Sequence, residues 1–173
     1  YTSNALEGNT LTRSETALLI EKGLTVGGKS MQEHLEATNH ALALDEIHQL
    51  ASGKLTNLRA RDVLDLHARV LQGIDDDNAG KYRSVPVRIA GSMVVLPNHR
   101  KVPELMDGFM QWLTGRHNLH PVALAAEAHY RLVTIHPFVD GNGRTARLLM
   151  NLILLMQGYP PAIIRMQERL KYL

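Results

Sequence analysis

The stretch HPFVDGNGRTAR, residues 136–147, decides the fold. It follows an apolar pattern of helical periodicity, which Pro137 cannot continue because proline lacks the backbone N–H that a helix interior needs. A tight loop with Gly141 and Gly143 comes next, and a second helix begins at about residues 142–144. The sequence therefore predicts a helix–loop–helix corner in which a glycine loop leads into a helix N-terminus.

The start of this second helix has the properties of an anion-binding site. Backbone N–H groups at a helix N-terminus point outward and carry the positive end of the helix dipole. Gly141 and Gly143 leave room for phosphate oxygens to approach the backbone. Arg144 and Arg147 leave the same side of the first turn, where their charges oppose the dipole unless an anion is bound. The pattern therefore favours a polyphosphate ligand.

Other side chains of the stretch suit a transfer reaction. Asp140 offers a hard oxygen ligand, which suits Mg²⁺ held jointly with phosphates. His136 can take a proton from an attacking hydroxyl near neutral pH. Together with the anion site, these groups predict phosphoryl or nucleotidyl transfer. The alternative is a structural corner with incidental charges, and the number of matching groups within so short a stretch argues against it.

Beyond this stretch the sequence is that of a helical globular protein. Of its 173 residues 45% are apolar and 21% are charged, and the net charge of +2 predicts no nucleic-acid surface. Capping boxes at residues 12–15 and 30–33 start two helices, and helical periodicity returns at residues 102–113, 121–136 and 144–157. The absence of cysteine excludes thiolate chemistry, and the longest apolar run is too short to span a bilayer.

Residues 84–98 have a different pattern. Val85, Val87 and Ile89 alternate, Gly91 and Ser92 supply a turn, and apolar residues return after it. This pattern predicts a short β-hairpin. We therefore expect an all-α fold, a helical bundle core that carries one short β-hairpin.

A second motif, GLTVGGKS at residues 23–30, has the spelling of a phosphate-binding P-loop. A P-loop follows a buried β-strand, whereas the residues before Gly23 lie behind a capping box and are predicted to be helical. In the simpler interpretation Gly23 ends one helix and Ser30 caps the next. A P-loop ATPase is therefore kept only as a distant alternative.

Residues 136–147 resemble the signature of the Fic (filamentation induced by cAMP) family, H-P-F-x-D/E-G-N-G-R-x-x-R, at every position. Residues 4–10, 79–83 and 158–161 are similar to further family features. Because the resemblance covers nearly the whole chain, residues 1–173 are identified as a single Fic domain, expected to be a fragment of a longer protein. The resemblance implies the Fic fold, with residues 84–98 as a β-hairpin flap that binds the target protein. The chain is similar to metazoan members of the family and to related bacterial and archaeal ones.

The resemblance implies transfer of AMP from ATP, as co-substrate, to a Ser, Thr or Tyr hydroxyl of a target protein. By resemblance, His136 is the general base and Asp140 holds Mg²⁺ or Mn²⁺. The residues implied to bind the nucleotide phosphates are Gly141, Asn142, Gly143, Arg144 and Arg147, and Tyr172 is implied to lie near the adenosine. The related Doc, a kinase, departs from Gly-Asn-Gly-Arg in its loop, so the intact loop here favours nucleotidyl transfer.

The N-terminal residues 3–8, SNALEG, fit S/T-x-x-x-E-G/N, the inhibitory motif of the family. By resemblance, Ser3, Glu7 and Gly8 belong to an inhibitory helix within residues 1–9, and Glu7 pairs with Arg147 in place of the γ-phosphate. From the residues alone, Glu7 fits a capping box with Asn4 as well. In some relatives the same glutamate helps water to remove AMP, so de-AMPylation is a second expected activity.

The predicted function is therefore an autoinhibited protein adenylyltransferase, and the main alternative is a catalytically silent binding module with the Fic fold. Expected partners are ATP and a target protein, without nucleic acid or membrane, and a homodimer is among the expected assemblies because family members often dimerise. We expect a cytoplasmic location. Outside the site, Arg83 and Arg88 are expected on the solvated surface around the flap, and His67 is expected to be partly buried on its helix.

Overall fold

The computed structural model describes residues 1–89, 92–115 and 118–168. Within these ranges the α-helices are α1 (Thr2–Leu6), α2 (Arg13–Lys22), α3 (Met31–Leu50), α4 (Ala60–Leu71), α5 (Val102–Thr114), α6 (Pro121–Ile135) and α7 (Asn142–Met156). Single 3₁₀ turns occur at Leu55–Asn57, His99–Lys101 and Met166–Glu168. Among the helices of these ranges, none has both the length and the apolar character needed to cross a bilayer.

The helix starts predicted from capping boxes are confirmed. Thr12 and Glu15 exchange side-chain and backbone hydrogen bonds at the start of α2, and Ser30 and Glu33 do the same at the start of α3. Each exchange satisfies backbone N–H groups that a helix start otherwise leaves without partners. These local signals therefore locate both helices to within a residue.

Helix α7 forms the centre of the core. Its side chains Leu148, Leu149, Leu152 and Ile153 are buried, and it packs against α3, α4 and α6. A helix that is apolar around most of its circumference is stable only when other helices surround it. Burial of each such side chain stabilises the fold by about 1.5–3 kcal/mol. The N-terminal end of α7, which carries the signature residues, is thereby held on a rigid support.

The P-loop alternative is wrong. Residues 23–30 connect α2 to α3, and no strand precedes them in the described chain. Gly23 ends α2 in the left-handed conformation, at φ 65°, with its N–H donated to the Leu19 carbonyl. The Lys29 ammonium donates to the Thr10 carbonyl at 2.8 Å and so fastens the connection to the chain before α2. The motif is thus explained by helix capping.

The predicted β-hairpin at residues 84–98, from here on the flap segment, is not formed in its described part. Residues 84–89 and 92–98 contain no strand, and residues 90–91 lie outside the described residues. The apolar side chains after the turn pack on nothing in the described chain, since Met93 is 97% exposed and Val95 is 94% exposed. A two-stranded hairpin without a buried face is marginal in water. In its described part the flap segment is therefore irregular chain with a turn contact, in which the Ser92 N–H donates to the Ile89 carbonyl at 3.1 Å.

Candidate active site

The corner at residues 136–147, from here on the glycine corner, begins with a histidine in an uncommon conformation. His136 follows the last residue of α6 with φ 51°, the one positive φ outside glycine in the described ranges. Its backbone N–H still donates to the Leu132 carbonyl at 2.9 Å and so caps α6. The left-handed conformation turns the chain sharply into the loop and points residue 136 away from the axis of α6.

The protonation state of His136 suits a base. Its Nδ1 lies 3.3 Å from the Val133 carbonyl, and because a carbonyl only accepts, Nδ1 carries the proton and Nε2 presents a lone pair. Burial of the ring lowers the pKa of His136, and the Arg83 charge lowers it further, against the raising effects of the Val133 carbonyl, Asp140 and Glu7. A lowered pKa keeps the imidazole neutral at pH 7, so Nε2 can accept a proton.

The loop of the glycine corner is fixed by one of its own side chains. The Asn142 amide accepts from the Phe138 N–H and donates to the Phe138 carbonyl, each at 3.0 Å. Gly141, at φ 73°, is the N-cap of α7, and Asn142 is the first residue of the helix. The side chain of Asn142 therefore forms its hydrogen bonds within the loop. Its backbone N–H lies in the first turn of α7, where N–H groups have no carbonyl of the helix to donate to.

His67 of α4 packs against the loop and supports it, a role that the sequence does not predict. The His67 ring stacks on Phe138 with centroids 3.6 Å apart, and both residues are fully buried. Its Nδ1 accepts from the Gly80 N–H at 3.0 Å, so its Nε2–H donates to the Asp140 carbonyl at 3.1 Å. Burial lowers the pKa of His67 to about 4, which keeps this tautomer neutral. The only sequence signal is its place among apolar residues of α4, which predicts burial but no partner.

Arg144 has unused donors at the mouth of the loop. Its Nη2 donates to the Asp140 carboxylate at 3.0 Å, and its Nη1 lies 3.6 Å from a Glu36 oxygen, beyond hydrogen-bond distance. In the described part of the chain, its buried Nε and Nη1 have no hydrogen-bond partner. Buried donors without partners are costly. A phosphate group would satisfy them and would compete for the same guanidinium as Asp140 and Glu36.

Arg147 is held by the N-terminal segment. Its Nη2 donates to the Glu7 carboxylate at 2.6 Å and to the Ser3 carbonyl at 2.9 Å, and its Nε donates to the Ser3 hydroxyl at 2.8 Å. The predicted pairing of Glu7 with Arg147 is thus present, across 140 positions of sequence. The Glu7 carboxylate also fills the space over Gly143, because a Cβ built there would collide with it.

The N-terminal segment reaches Arg147 because α1 is anchored on α3. The Asn4 amide donates to the Glu36 carbonyl at 2.9 Å, and Ala5 and Leu6 are buried. Glu7 is the C-cap of α1, whose N-cap is Tyr1, so the alternative of a capping box between Asn4 and Glu7 is wrong. Gly8 follows at φ 99°, a conformation that glycine adopts without strain and that turns the chain after Glu7.

Asp140 is the residue that could hold a divalent ion. Its side chain is 63% exposed and, apart from the Arg144 contact, faces the open side of the loop. In the described ranges, no group of three or more His, Asp, Glu or Cys side chains could hold a metal. A single carboxylate fits an ion that takes its remaining oxygen ligands from bound phosphates and water. Tyr172, expected near the adenosine, lies outside the described residues.

The sequence profile of the Fic/DOC family matches residues 57–154, more than half of the chain and including all of the glycine corner. The chain belongs to the Fic/DOC family. Curated Fic relatives include "Protein adenylyltransferase Fic" of Drosophila persimilis, 45% identical over 99% of this chain and 34% of the relative. The protein of the same name from Drosophila melanogaster is 44% identical over 99% of this chain and 35% of the relative. The chain therefore spans about a third of the length of these curated relatives.

Solved Fic structures have the same fold. Fic-1 of C. elegans, residues 134–508, superposes with a TM-score of 0.91 at 37% identity, over 99% of this chain and 51% of that one. A Fic-domain signalling protein of Bacteroides thetaiotaomicron gives a TM-score of 0.89 at 36% identity, over 99% of this chain and 66% of that one. The predicted all-helical Fic fold is confirmed, and the hairpin is the one part of that prediction that the described residues do not contain.

Proposed function

We propose that this chain is the catalytic part of a protein adenylyltransferase, which transfers AMP from ATP to a Ser, Thr or Tyr hydroxyl of a target protein. The observation that carries the proposal is the glycine corner itself. A neutral histidine with a free Nε2 lies at one end of the loop, and buried arginine donors at the N-terminus of a helix lie at the other. The names of the curated relatives point to the same activity.

In this proposal the protein hydroxyl attacks the α-phosphorus of ATP and its proton passes to Nε2 of His136. The bond from the α-phosphorus to the bridging oxygen breaks, and pyrophosphate leaves with the bonding electrons. The first N–H groups of α7, around Gly141 to Gly143, bind the phosphate oxygens where negative charge develops. Arg144 and Arg147 bind the β- and γ-phosphates, which holds the α-phosphorus in line with the hydroxyl.

A divalent ion, Mg²⁺ or Mn²⁺, held by Asp140 and the phosphates, would offset the negative charge of the leaving pyrophosphate when bound. The exposed carboxylate of Asp140 at the mouth of the loop fits this arrangement. Binding of the ion and of ATP must loosen the contact of Asp140 with Arg144 at 3.0 Å, because both groups then take new partners.

In this proposal, the conformation in which Glu7 contacts Arg147 is inhibited for AMP transfer. The guanidinium of Arg147 already binds a carboxylate and the Ser3 oxygens, so a γ-phosphate must displace Glu7 before it can bind. A carboxylate and a phosphate compete for the same charge and the same planar donors. The free energy of that contact therefore reduces the affinity for ATP in its productive position.

The flap segment is proposed to bind the target protein. Its described backbone has no strand partner in the described chain, which leaves N–H and C=O groups able to pair with an extended peptide. Its exposed apolar side chains, such as Met93 and Val95, suit contacts to alternate residues of that peptide. The cytoplasmic location and the homodimer stay predictions from the sequence.

The test uses ATP labelled at the α- or the γ-phosphate, with Mg²⁺ and three proteins: the unchanged chain, Glu7→Gly, and Glu7→Gly with His136→Ala. We expect covalent α-label on protein, increased about tenfold or more by Glu7→Gly, the range of typical coupling energies. Loss of His136 should reduce it by about 10²–10⁴-fold, the usual contribution of a general base. Glu21→Gly, an exposed glutamate of α2, is the matched control and should change nothing.

Other outcomes have distinct meanings. Covalent γ-label would indicate a kinase and would overturn the proposal. Absence of any label from all three proteins, while ATP still binds, would favour a catalytically silent module. If Glu7→Gly labels no faster than Glu21→Gly, the inhibitory role of Glu7 is wrong even where transfer itself is found.

A further inference from the structure

Arg83 lies where the sequence does not lead one to expect an arginine. The sequence places it on the solvated surface around the flap, but the residue is 3% exposed. Among the described residues it forms no ion pair with a carboxylate. Instead its guanidinium donates to main-chain carbonyls: Nε to His136 at 2.7 Å, Nη2 to Pro97 at 2.7 Å, and Nη1 to Val85 at 3.2 Å.

These acceptors belong to two parts of the molecule that are distant in sequence. Val85 and Pro97 lie near the two ends of the flap segment, and His136 begins the glycine corner. The backbone N–H of Arg83 adds a bond to the Pro137 carbonyl at 2.8 Å. A guanidinium is a rigid planar fork, so simultaneous bonds from its nitrogens fix the directions of all the carbonyls that they reach.

The electrostatics favour a cation at this place. The His136 carbonyl lies at the C-terminal end of α6, where the helix dipole is negative. Buried arginines normally have an acidic partner, because burial of a lone charge is costly. Here the carbonyl oxygens take the place of that partner and offset the cost of burying the charge. An exposed arginine is solvated by water and needs no such set of acceptors.

We propose that Arg83 is a positioning residue that fixes the flap segment relative to the side chain of His136. The inference rests on the proposed function, in which the flap segment binds the target protein and His136 accepts the proton of the target hydroxyl. The flap segment has no strand pairing among its described residues, so its attachment near Val85 and Pro97 determines where its backbone lies. The same guanidinium holds the carbonyl of the residue that receives the proton.

The conformation of His136 makes this attachment matter for the chemistry. With φ 51°, His136 has a backbone conformation that residues other than glycine rarely adopt. Rotation of its peptide group would move the imidazole. A displacement of about 1 Å between reacting groups can cost about 10²-fold in rate. The hydrogen bonds of Arg83 go to the main-chain carbonyls of residues 85, 97, 136 and 137, none of which is proposed to bind the nucleotide, so its effect on nucleotide binding should be small.

The experiment compares Arg83→Lys and Arg83→Gln in the Glu7→Gly background. Four quantities are measured: the rate of self-labelling from α-labelled ATP with Mg²⁺, the ATP affinity by calorimetry, the backbone NMR order parameters of residues 84–98, and hydrogen exchange of the backbone amides in α7. Arg61→Gln is the matched control, because Arg61 is an exposed arginine of α4, outside both the flap segment and the glycine corner.

We expect Arg83→Gln to lower the labelling rate by about 10²-fold and Arg83→Lys by about tenfold, because lysine keeps the charge but reaches fewer carbonyls. The ATP affinity should stay within about twofold of the parent, since the arginines of α7 are unchanged. The order parameters should fall in residues 84–98, and exchange should stay unchanged in α7. Arg61→Gln should leave the labelling rate, the affinity, the order parameters and the exchange as they are.

The inference is overturned if both Arg83 variants label at the rate of the parent, or if the order parameters of residues 84–98 do not change. It is also overturned if ATP affinity and the protection of α7 fall together with activity, because Arg83 would then only hold the fold together. If the Glu7→Gly parent itself transfers no label, the proposed function fails. The comparison of order parameters then still decides whether Arg83 fixes the flap segment.

Discussion

The glycine corner, residues 136–147, is fixed by a side chain of its own loop and by a buried ring of α4, whereas the flap segment, residues 84–98, is fixed near its two ends. Asn142 closes the corner on Phe138, and Phe138 in turn stacks on the buried ring of His67. The flap segment exposes 97% of Met93, and the guanidinium of Arg83 binds its backbone at Val85 and Pro97.

The difference follows from what each region has to do in the proposed reaction. Transfer at phosphorus requires groups held within a few tenths of an ångström, so the loop that presents them is packed and hydrogen-bonded. A segment that pairs with a peptide needs free backbone groups and side chains in reach of solvent. We therefore expect substitutions in the corner to change stability strongly and substitutions in the middle of the flap segment to change it little.

The largest effect is expected at Phe138. Phe138→Ala should lower the free energy of unfolding by about 4 kcal/mol, because it removes a fully buried ring and leaves a cavity above His67. Urea unfolding followed by circular dichroism measures the change. Val85→Ala, in the half-exposed first part of the flap segment, is the control and should cost no more than about 0.5 kcal/mol. Equal losses for both variants would contradict the comparison.

The second-largest effect is expected in acid, which should weaken the packing of His67 against the glycine corner. The pKa of His67 is about 4 in the folded chain, against about 6.5 when unfolded, because burial disfavours the charged ring. Between these values the unfolded chain binds the proton more readily. The contribution of His67 is therefore complete above about pH 6.5 and decreases towards pH 4, by about 3 kcal/mol.

Urea unfolding at a series of pH values measures this decrease. The ring resonances of His67, followed by NMR, should not shift until the pH approaches about 4. Protonation would remove the acceptor of the Gly80 N–H, so amide exchange at Gly80 should rise at the same pH. A His67 ring that titrates near pH 6.5 would show that the support is less buried than described.

A matched pair of asparagines compares the two regions directly. Asn142→Ala leaves the buried N–H and C=O of Phe138 without partners, which should cost about 3 kcal/mol. Asn98→Ala, at the exposed end of the flap segment, removes a single cap bond to the Arg100 N–H and should cost about 1 kcal/mol. Thermal unfolding of both variants tests the difference of about 2 kcal/mol. A reversed order would mean that the flap segment carries more of the stability.

The smallest effect is expected in the middle of the flap segment. Met93→Ser and Val95→Ser should each change the free energy of unfolding by no more than about 0.5 kcal/mol, because both side chains are almost fully exposed. The same unfolding measurement applies. A loss above about 1 kcal/mol would indicate that these side chains pack on a buried face, as in the hairpin that the sequence predicts.

The sequence by itself determined the helices, their starts and the glycine corner. Capping boxes at Thr12 and Ser30, the proline after His136 and the glycines of the loop are signals that act over a few residues, so they can be interpreted without a fold. The spacing of Arg144 and Arg147 on one helix is also local. These features carry most of the fold and the reactive part of the site.

The tertiary structure alone decided which charges are buried and what they contact. Arg83 and His67 have ordinary sequence surroundings, and their partners at His136 and Asp140 are more than 50 positions away. The contact of Glu7 with Arg147 follows from the family resemblance, but no spacing in the chain predicts it. In its described part the flap segment forms no hairpin, because alternation of apolar residues suits an extended chain with or without a strand partner, and only packing decides between the two.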